Sequence, residues 1–241
     1  MCFSVNVNLV KEELENRYGA TLIDPDKYKP SYYYHAFVLP EMPVICSGDS
    51  SSIRLFIWGL IPSRTKNSRE AQDIRVKTFN ARAESISTKS SFFSSFASKR
   101  CIIPVNGFFE WQHVAGNKIP WYIYDSAGRI MSLAGLFDRW TESSTGEVID
   151  TFTIITTEAN EMLAEIHNSK KRMPAVLNAE SEKLWLDQSA SRNDLTSCLK
   201  PSSADMLKAH TISPLVSSKT ADKNTPGLIH PYYYNTQQSL F

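Results

Sequence analysis

The 241-residue chain has no apolar run approaching the ~20 residues that a membrane-spanning helix requires. Its start lacks the basic segment and long apolar core of a secretory signal. The sequence therefore reads as a cytoplasmic protein that makes no membrane contact. Cysteine is scarce, with Cys2, Cys46, Cys101 and Cys198 alone. None forms a CxxC pair and no Cys/His cluster has zinc-like spacing, so no metal or other cofactor is implied and reduced thiols are expected. The nine glycines form no phosphate-cradling loop, which argues against the common nucleotide-binding classes. No internal repeat occurs.

What is present is an ordinary globular mix, 42% apolar and 21% charged. With no clear linker, residues 1–241 read as one domain, with a tail from about 228 that packs or frays. The net charge of +1 hides an uneven distribution. Residues 54–100 carry ten basic and three acidic side chains, whereas the flanking segments are each net −3. A localised basic segment suits an anionic ligand, and equally an unevenly charged solvated surface.

Apolar spacing predicts a helix over "NLVKEELENRYG" stopped by Gly19, and a strand over "SIRLFIWGLIPS" ended by Pro62. Further strands are expected in "RCIIPVNGFFEWQ", "PWYIYDSAGRIMSLAGLF" (with a hairpin turn at 125–128), "VIDTFTIITT" and "HTISPLV". Helices are expected in "TEANEMLAEIH", capped by Thr157, in "SEKLWL" and in "SADMLKAH", with a short packed one in the serine-rich stretch 85–98. Strands and helices do not alternate regularly. The fold class is therefore α+β, a mainly antiparallel, barrel-like sheet core with peripheral helices.

Cys2 stands out by position. Once Met1 is removed, it carries an α-amine (pKa ~8) and a thiol (pKa ~8.5) on adjacent carbons, both reactive near neutrality. The amine can condense with an aldehyde and the thiol can close on the imine, giving a thiazolidine that no internal cysteine can form. A small buried side chain on a first strand is the alternative. Asn80, Arg82 and Glu84 would share one face of an extended segment, as a polar stripe or a solvent face. Glu110 sits among Phe108, Phe109 and Trp111. If buried, its pKa would rise into the range useful for proton transfer; otherwise it simply alternates outward. His167 ends an amphipathic helix, followed by Lys170, Lys171 and Arg172, a phosphate-binding cluster or a solvated helix end. Trp58 and Trp111 lie near basic residues, as base-stacking or core rings.

Taken in order, Met1-Cys2, "WGLIPS" (58–63), "FNARAES" (79–85), "RCIIPVNGFFEWQ" (100–112), "LAGLFDRW" (133–140), "FTIITTEAN" (152–160) and "RMPAVL" (172–177) closely resemble the SOS response-associated peptidase family across the whole chain. The resemblance implies a DNA-damage protein that senses abasic sites in single-stranded DNA. It further implies a covalent cross-link through an N-terminal cysteine thiazolidine that shields the strand, after autocatalytic removal of Met1. Carried onto this chain, Cys2 is the nucleophile and Asn80 holds the cysteine amine or the opened sugar. Glu110 is the proton shuttle, and His167 assists Schiff-base chemistry and reversal. Arg82, Arg100 and Arg172 would contact phosphates, and Trp58 and Trp111 would line the DNA channel. A monomer acting on single-stranded DNA is expected.

Two features depart from the family. Phe3-Ser4 stands where Gly-Arg is common, and four residues separate His167 from Arg172. His210 resembles a structural strand histidine. Two rival classes remain at this level: an N-terminal-nucleophile glutamine amidotransferase, and a non-covalent DNA-binding module with an inert Cys2.

Overall fold

The computed structural model describes residues 2–234. Expectations about Met1 and about the end of the tail, residues 235–241, lie outside that range. The fold is α+β, with two mainly antiparallel sheets and six short α-helices among the described residues. One sheet orders as β14 (Leu207–Thr211), β9 (Asn117–Asp125), β8 (Gly107–Val114), β1 (Ser4–Val7) and β3 (Ser31–His35). The other orders as β12 (Arg172–Pro174), β11 (Val148–Glu158), β10 (Met131–Thr141), β7 (Arg100–Val105), β4 (Glu41–Cys46), β5 (Asp49–Trp58) and β2 (Thr21–Leu22). In that second sheet β11 also pairs in parallel with β5, Thr151 against Ile57 and Phe152 against Trp58. The run β5–β4–β7–β10–β11 is thereby closed into a five-stranded barrel, which leaves those strands no open edge. Two short strands attach to it, β13 (Val176–Leu177) on β10 and β6 (Asn80–Arg82) in parallel on β11.

The helices are α1 (Lys11–Tyr18), α2 (Ser68–Arg75), α3 (Phe93–Ser98), α4 (Glu161–Ile166), α5 (Ala179–Leu186) and α6 (Arg192–Ser197). Gly19 ends α1 at φ 61°, the left-handed stop expected of it. Helix α4 is capped by Asn160, whose side chain accepts from the Leu163 amide, rather than by Thr157, which belongs to β11. Helices α2 and α6 bury one residue each, Ala71 and Leu195, and so leave no periodic apolar stripe to mark them in the sequence.

Three other expectations are corrected. Strand β5 stops at Trp58, four residues before Pro62. The turn at 125–128 is no hairpin: β9 pairs with β8 and β14, while β10 pairs with β7, β11 and β13. Asp125 accepts from the amides of Ala127 and Arg129 to turn the chain from one sheet into the other. The stretch "SADMLKAH" is a 3-10 turn over Ala204–Met206 followed by β14, because pairing with β9 outweighs its weak helical spacing. In the tail, Leu228 is buried.

This architecture brings distant segments together at one place. Strand β1 lies between β8 and β3 with all four residues buried. Val5 pairs with Phe108 and Asn6 with Gly107, so continuing the register brings the first residues of the chain level with Glu110. Helix α4 is tied to β8 by hydrogen bonds from Asn168 Nδ2 to the His113 carbonyl and from Gln112 Nε2 to the Glu165 carbonyl.

Candidate active site

Cys2 is fully buried just ahead of β1, its Sγ 3.7 Å from the Ser4 carbonyl oxygen. Burial pushes its thiol pKa up, and the nearby Glu110 carboxylate pushes it further. Asn80, the first residue of β6, donates from Nδ2 to the Cys2 carbonyl oxygen at 2.9 Å. Its Oδ1 is buried without a hydrogen-bond partner among the described residues. Asn80 is placed by its pairing with Ile154 on β11 and by Trp58, whose Nε1 donates to the Phe79 carbonyl at 2.8 Å.

Glu110 is buried in the same neighbourhood. Burial raises its pKa to about 7, against the opposing hydrogen bond of the Trp111 backbone. His167 follows α4 and is also buried, its Nδ1 3.8 Å from Glu110 Oε1. The same Nδ1 donates to the Arg172 carbonyl at 2.8 Å. A carbonyl can only accept, so Nδ1 bears the proton and Nε2 the lone pair. Burial lowers the His167 pKa to about 4, more than the Arg172 carbonyl raises it, and leaves the ring neutral near pH 7. The four residues between His167 and Arg172 form a tight loop in which Lys171 adopts φ 49° and donates its amide to the His167 carbonyl. The longer spacing therefore still returns the chain to β12.

Cys2, Asn80, Glu110 and His167 thus come together from four separate parts of the chain. Chemically the cluster supplies a nucleophile, an amide that orients the residue bearing it, a carboxyl poised to give or take a proton near neutrality, and a neutral imidazole base.

The expected DNA-contact residues divide. Arg82 is exposed and lines a surface cleft of about 640 Å³ with Glu158, Lys170, Lys171 and Arg172. Trp111 is half-buried, its Nε1 donating to Ser217 Oγ at 3.0 Å. Trp58 is 0% exposed and stacked on Phe152, so it has no ring face to offer a base. Arg100 is likewise 0% exposed. Its guanidinium donates to the carbonyls of Phe96, Ala97, Trp185 and Asp187, at the C-terminal ends of α3 and α5, where a positive charge is favourable. It joins helices and has no reach toward a phosphate. Arg172 is mostly buried and holds Glu84 with two hydrogen bonds and the Thr156 carbonyl with a third. Glu84 lies past the end of β6 and is the partner of Arg172, with Arg82 close enough to act on its charge. Arg172 positions the site through its backbone carbonyl, which orients His167.

Sequence reasoning missed the surroundings of Phe3-Ser4. Ser4 is fully buried and its Oγ lies 3.0 Å from the Tyr33 hydroxyl and 2.9 Å from His35 Nδ1. Phe3 packs on Phe37 and Phe79, with ring centroids 5.3 and 6.3 Å apart. The repeated aromatics of "SYYYHAF" were the available signal.

Residues 1–219 match the family described as SOS response associated peptidase. The chain is 37% identical to the abasic site processing protein YoqW of Bacillus subtilis, over 86% of this chain and 91% of that protein. It is 34% identical to the abasic site processing protein HMCES of Xenopus tropicalis, over 68% of this chain and 56% of that one. A crystal structure of a protein from Bacteroides thetaiotaomicron superposes with a TM-score of 0.90 at 37% identity, covering 96% of this chain and all of that one. A family match over most of the chain, relatives of this identity and a shared fold agree: the chain belongs to the SOS response-associated peptidase family.

Proposed function

We propose that this protein processes abasic sites in DNA by capturing the ring-opened sugar aldehyde on Cys2. The relatives named as abasic site processing proteins support the substrate class. The observation that carries the chemistry is the position of Cys2: buried, held through its carbonyl by Asn80, and next to a carboxyl that burial brings to a pKa of about 7.

In this reading, hydrolysis of the Met1–Cys2 peptide bond consumes one water and exposes the amine of Cys2. Glu110 gives a proton to the ring oxygen of the abasic sugar, the bond from that oxygen to the anomeric carbon breaks, and the anomeric hydroxyl releases its proton to solvent as it becomes the aldehyde. The amine adds to the carbonyl carbon, and loss of water leaves a Schiff base. The thiol then adds across the C=N bond: sulfur bonds to carbon, and its proton ends on nitrogen. His167, neutral with a lone pair on Nε2, relays protons in the Schiff-base steps and in reversal. Asn80 fixes Cys2 so that amine and thiol approach one carbon. Arg82, with Lys170 and Lys171 in the same cleft, supplies phosphate contacts for a single strand.

The test is a denaturing gel of the purified protein mixed with single-stranded DNA carrying one abasic site, alongside intact mass. A slow-migrating adduct formed only by protein lacking Met1, and lost in Cys2→Ser as a stable species, is the expected result. Equal adduct yield from Cys2→Ala would refute the mechanism.

A further inference from the structure

Two peptide units follow Cys2 before β1 begins, and each is held at its carbonyl oxygen. Asn80 holds the first, at Cys2. The second ends at the Phe3 carbonyl, which accepts two hydrogen bonds. One comes from the Ala36 amide at 2.9 Å and the other from His35 Nδ1 at 3.1 Å. A peptide unit is planar, so holding both carbonyls restrains φ and ψ of Phe3 between them. Cys2 then keeps ψ, which turns its amine and Cβ together, and χ1, which swings its thiol.

The end of the strand pairing shows why a side chain is needed here. Ser4 pairs with His35, the last residue of β3. The Ala36 amide gives one final backbone bond to Phe3, and the chain then leaves in a 3-10 turn over Ala36–Val38. His35 stands at that junction. Its Nδ1 also lies 2.9 Å from Ser4 Oγ, which donates to the Tyr33 hydroxyl at 3.0 Å. A carbonyl only accepts, so Nδ1 bears the proton and shares it between the Phe3 carbonyl and the Ser4 oxygen. Partial burial lowers the His35 pKa, which keeps the ring neutral near pH 7. The ring is aimed by Tyr33, stacked at 5.8 Å, and by Phe37 at 5.3 Å.

We propose that His35 is a positioning residue for Cys2: its Nδ1–H holds the Phe3 carbonyl and, together with Asn80, presents the amine and thiol of Cys2 to one carbon. This rests on the reading of Cys2 as the aldehyde trap. His35 acts through the backbone of Phe3 and needs no contact with the DNA. Serine suits position 4 for the same reason, because its hydroxyl accepts part of the shared proton and hands its own to Tyr33.

The experiment is single-turnover cross-linking to single-stranded DNA bearing one abasic site, with DNA varied through saturation and the adduct read on denaturing gels. His35→Phe keeps a ring against Tyr33 and Phe37 but has no donor. His35→Asn has no ring but carries an amide Nδ2 that can take the place of Nδ1. The saturating rate of His35→Phe is expected to fall about tenfold with an unchanged half-saturating DNA concentration, and His35→Asn to restore it to within about twofold of wild type. His35→Gln, whose amide is displaced by one methylene, should be as slow as His35→Phe and takes its place if that variant does not fold. A ring that merely packs predicts the reverse order. A rate for His35→Asn no faster than that of the donor-less variant therefore overturns the proposal. A change confined to the half-saturating concentration also overturns it, since that would make His35 a DNA contact. Normal trapping by wild type and His35→Phe alike refutes the positioning role alone. A wild type that forms no adduct refutes the reading beneath it.

Discussion

Asn80 donates a hydrogen bond from Nδ2 to the Cys2 carbonyl oxygen at 2.9 Å, across 78 residues of sequence. The contact fixes Cys2 through its backbone carbonyl and leaves the thiol unoccupied; in the proposed capture, that is the residue whose amine and thiol converge on one carbon.

Asn80→Ala is accordingly expected to slow trapping about tenfold or more, the usual sensitivity of a reaction to lost orientation. Its cost in stability should be about 1 kcal/mol, that of one hydrogen bond. Cross-linking time courses on denaturing gels and urea unfolding measure the two effects separately. A loss of stability with an unchanged rate would make Asn80 a purely structural residue.

Glu110 and His167 should oppose each other in the pH dependence of stability. The folded pKa of Glu110, about 7, lies above its ordinary value of 4.5. Its contribution is full below pH 4.5 and is lost as pH rises through 7. The folded pKa of His167, about 4, lies below its ordinary value of 6.5. Its contribution is present above pH 6.5 and is lost as pH falls through 4. Urea midpoints of Glu110→Gln should therefore rise between pH 4 and 6.5, and those of His167→Gln should fall between pH 4.5 and 7. Parallel profiles for both variants would contradict the burial of the pair.

Arg100 and Arg82 should separate stability from DNA contact. Arg100→Ala leaves four backbone carbonyls without their donor and is expected to lower stability by about 3 kcal/mol. Arg82→Ala should leave the thermal midpoint within about 1 °C, as an exposed residue does, and reduce the salt slope of single-strand binding by about 0.7. Thermal melts and anisotropy at several salt concentrations decide the matter.

Restoring the more common arginine at position 4 should harm this chain. Ser4 is fully buried against the Tyr33 hydroxyl and the His35 ring, so Ser4→Arg forces a guanidinium into the space of a hydroxyl, beside a phenol and an imidazole in place of a carboxylate. A loss of about 3 kcal/mol or more is expected in urea unfolding. A stable Ser4→Arg variant would mean that the β1–β3 pair opens to accommodate it.

The motif order in the sequence was enough to specify the family, because seven ordered segments carry far more information than any single spacing. Alternation in strands and the left-handed stop at Gly19 were equally readable, since both depend on neighbours a few residues away. Burial was not readable. Trp58 and Arg100 sit in strongly marked motifs near basic residues, and only the tertiary packing, Phe152 on the one and the ends of α3 and α5 on the other, reveals that both are buried. The same holds for the turn at 125–128, where partner choice between sheets was decided by long-range pairing. Cys2 could be singled out from its position alone. That Glu110 lies near it and His167 near Glu110, with pKa values displaced in opposite directions, depends on strands β1 and β8 pairing and on α4 being tied to β8. Local chemistry named the reactive groups; the low-dielectric interior that tunes them exists only when segments more than fifty residues apart are packed together.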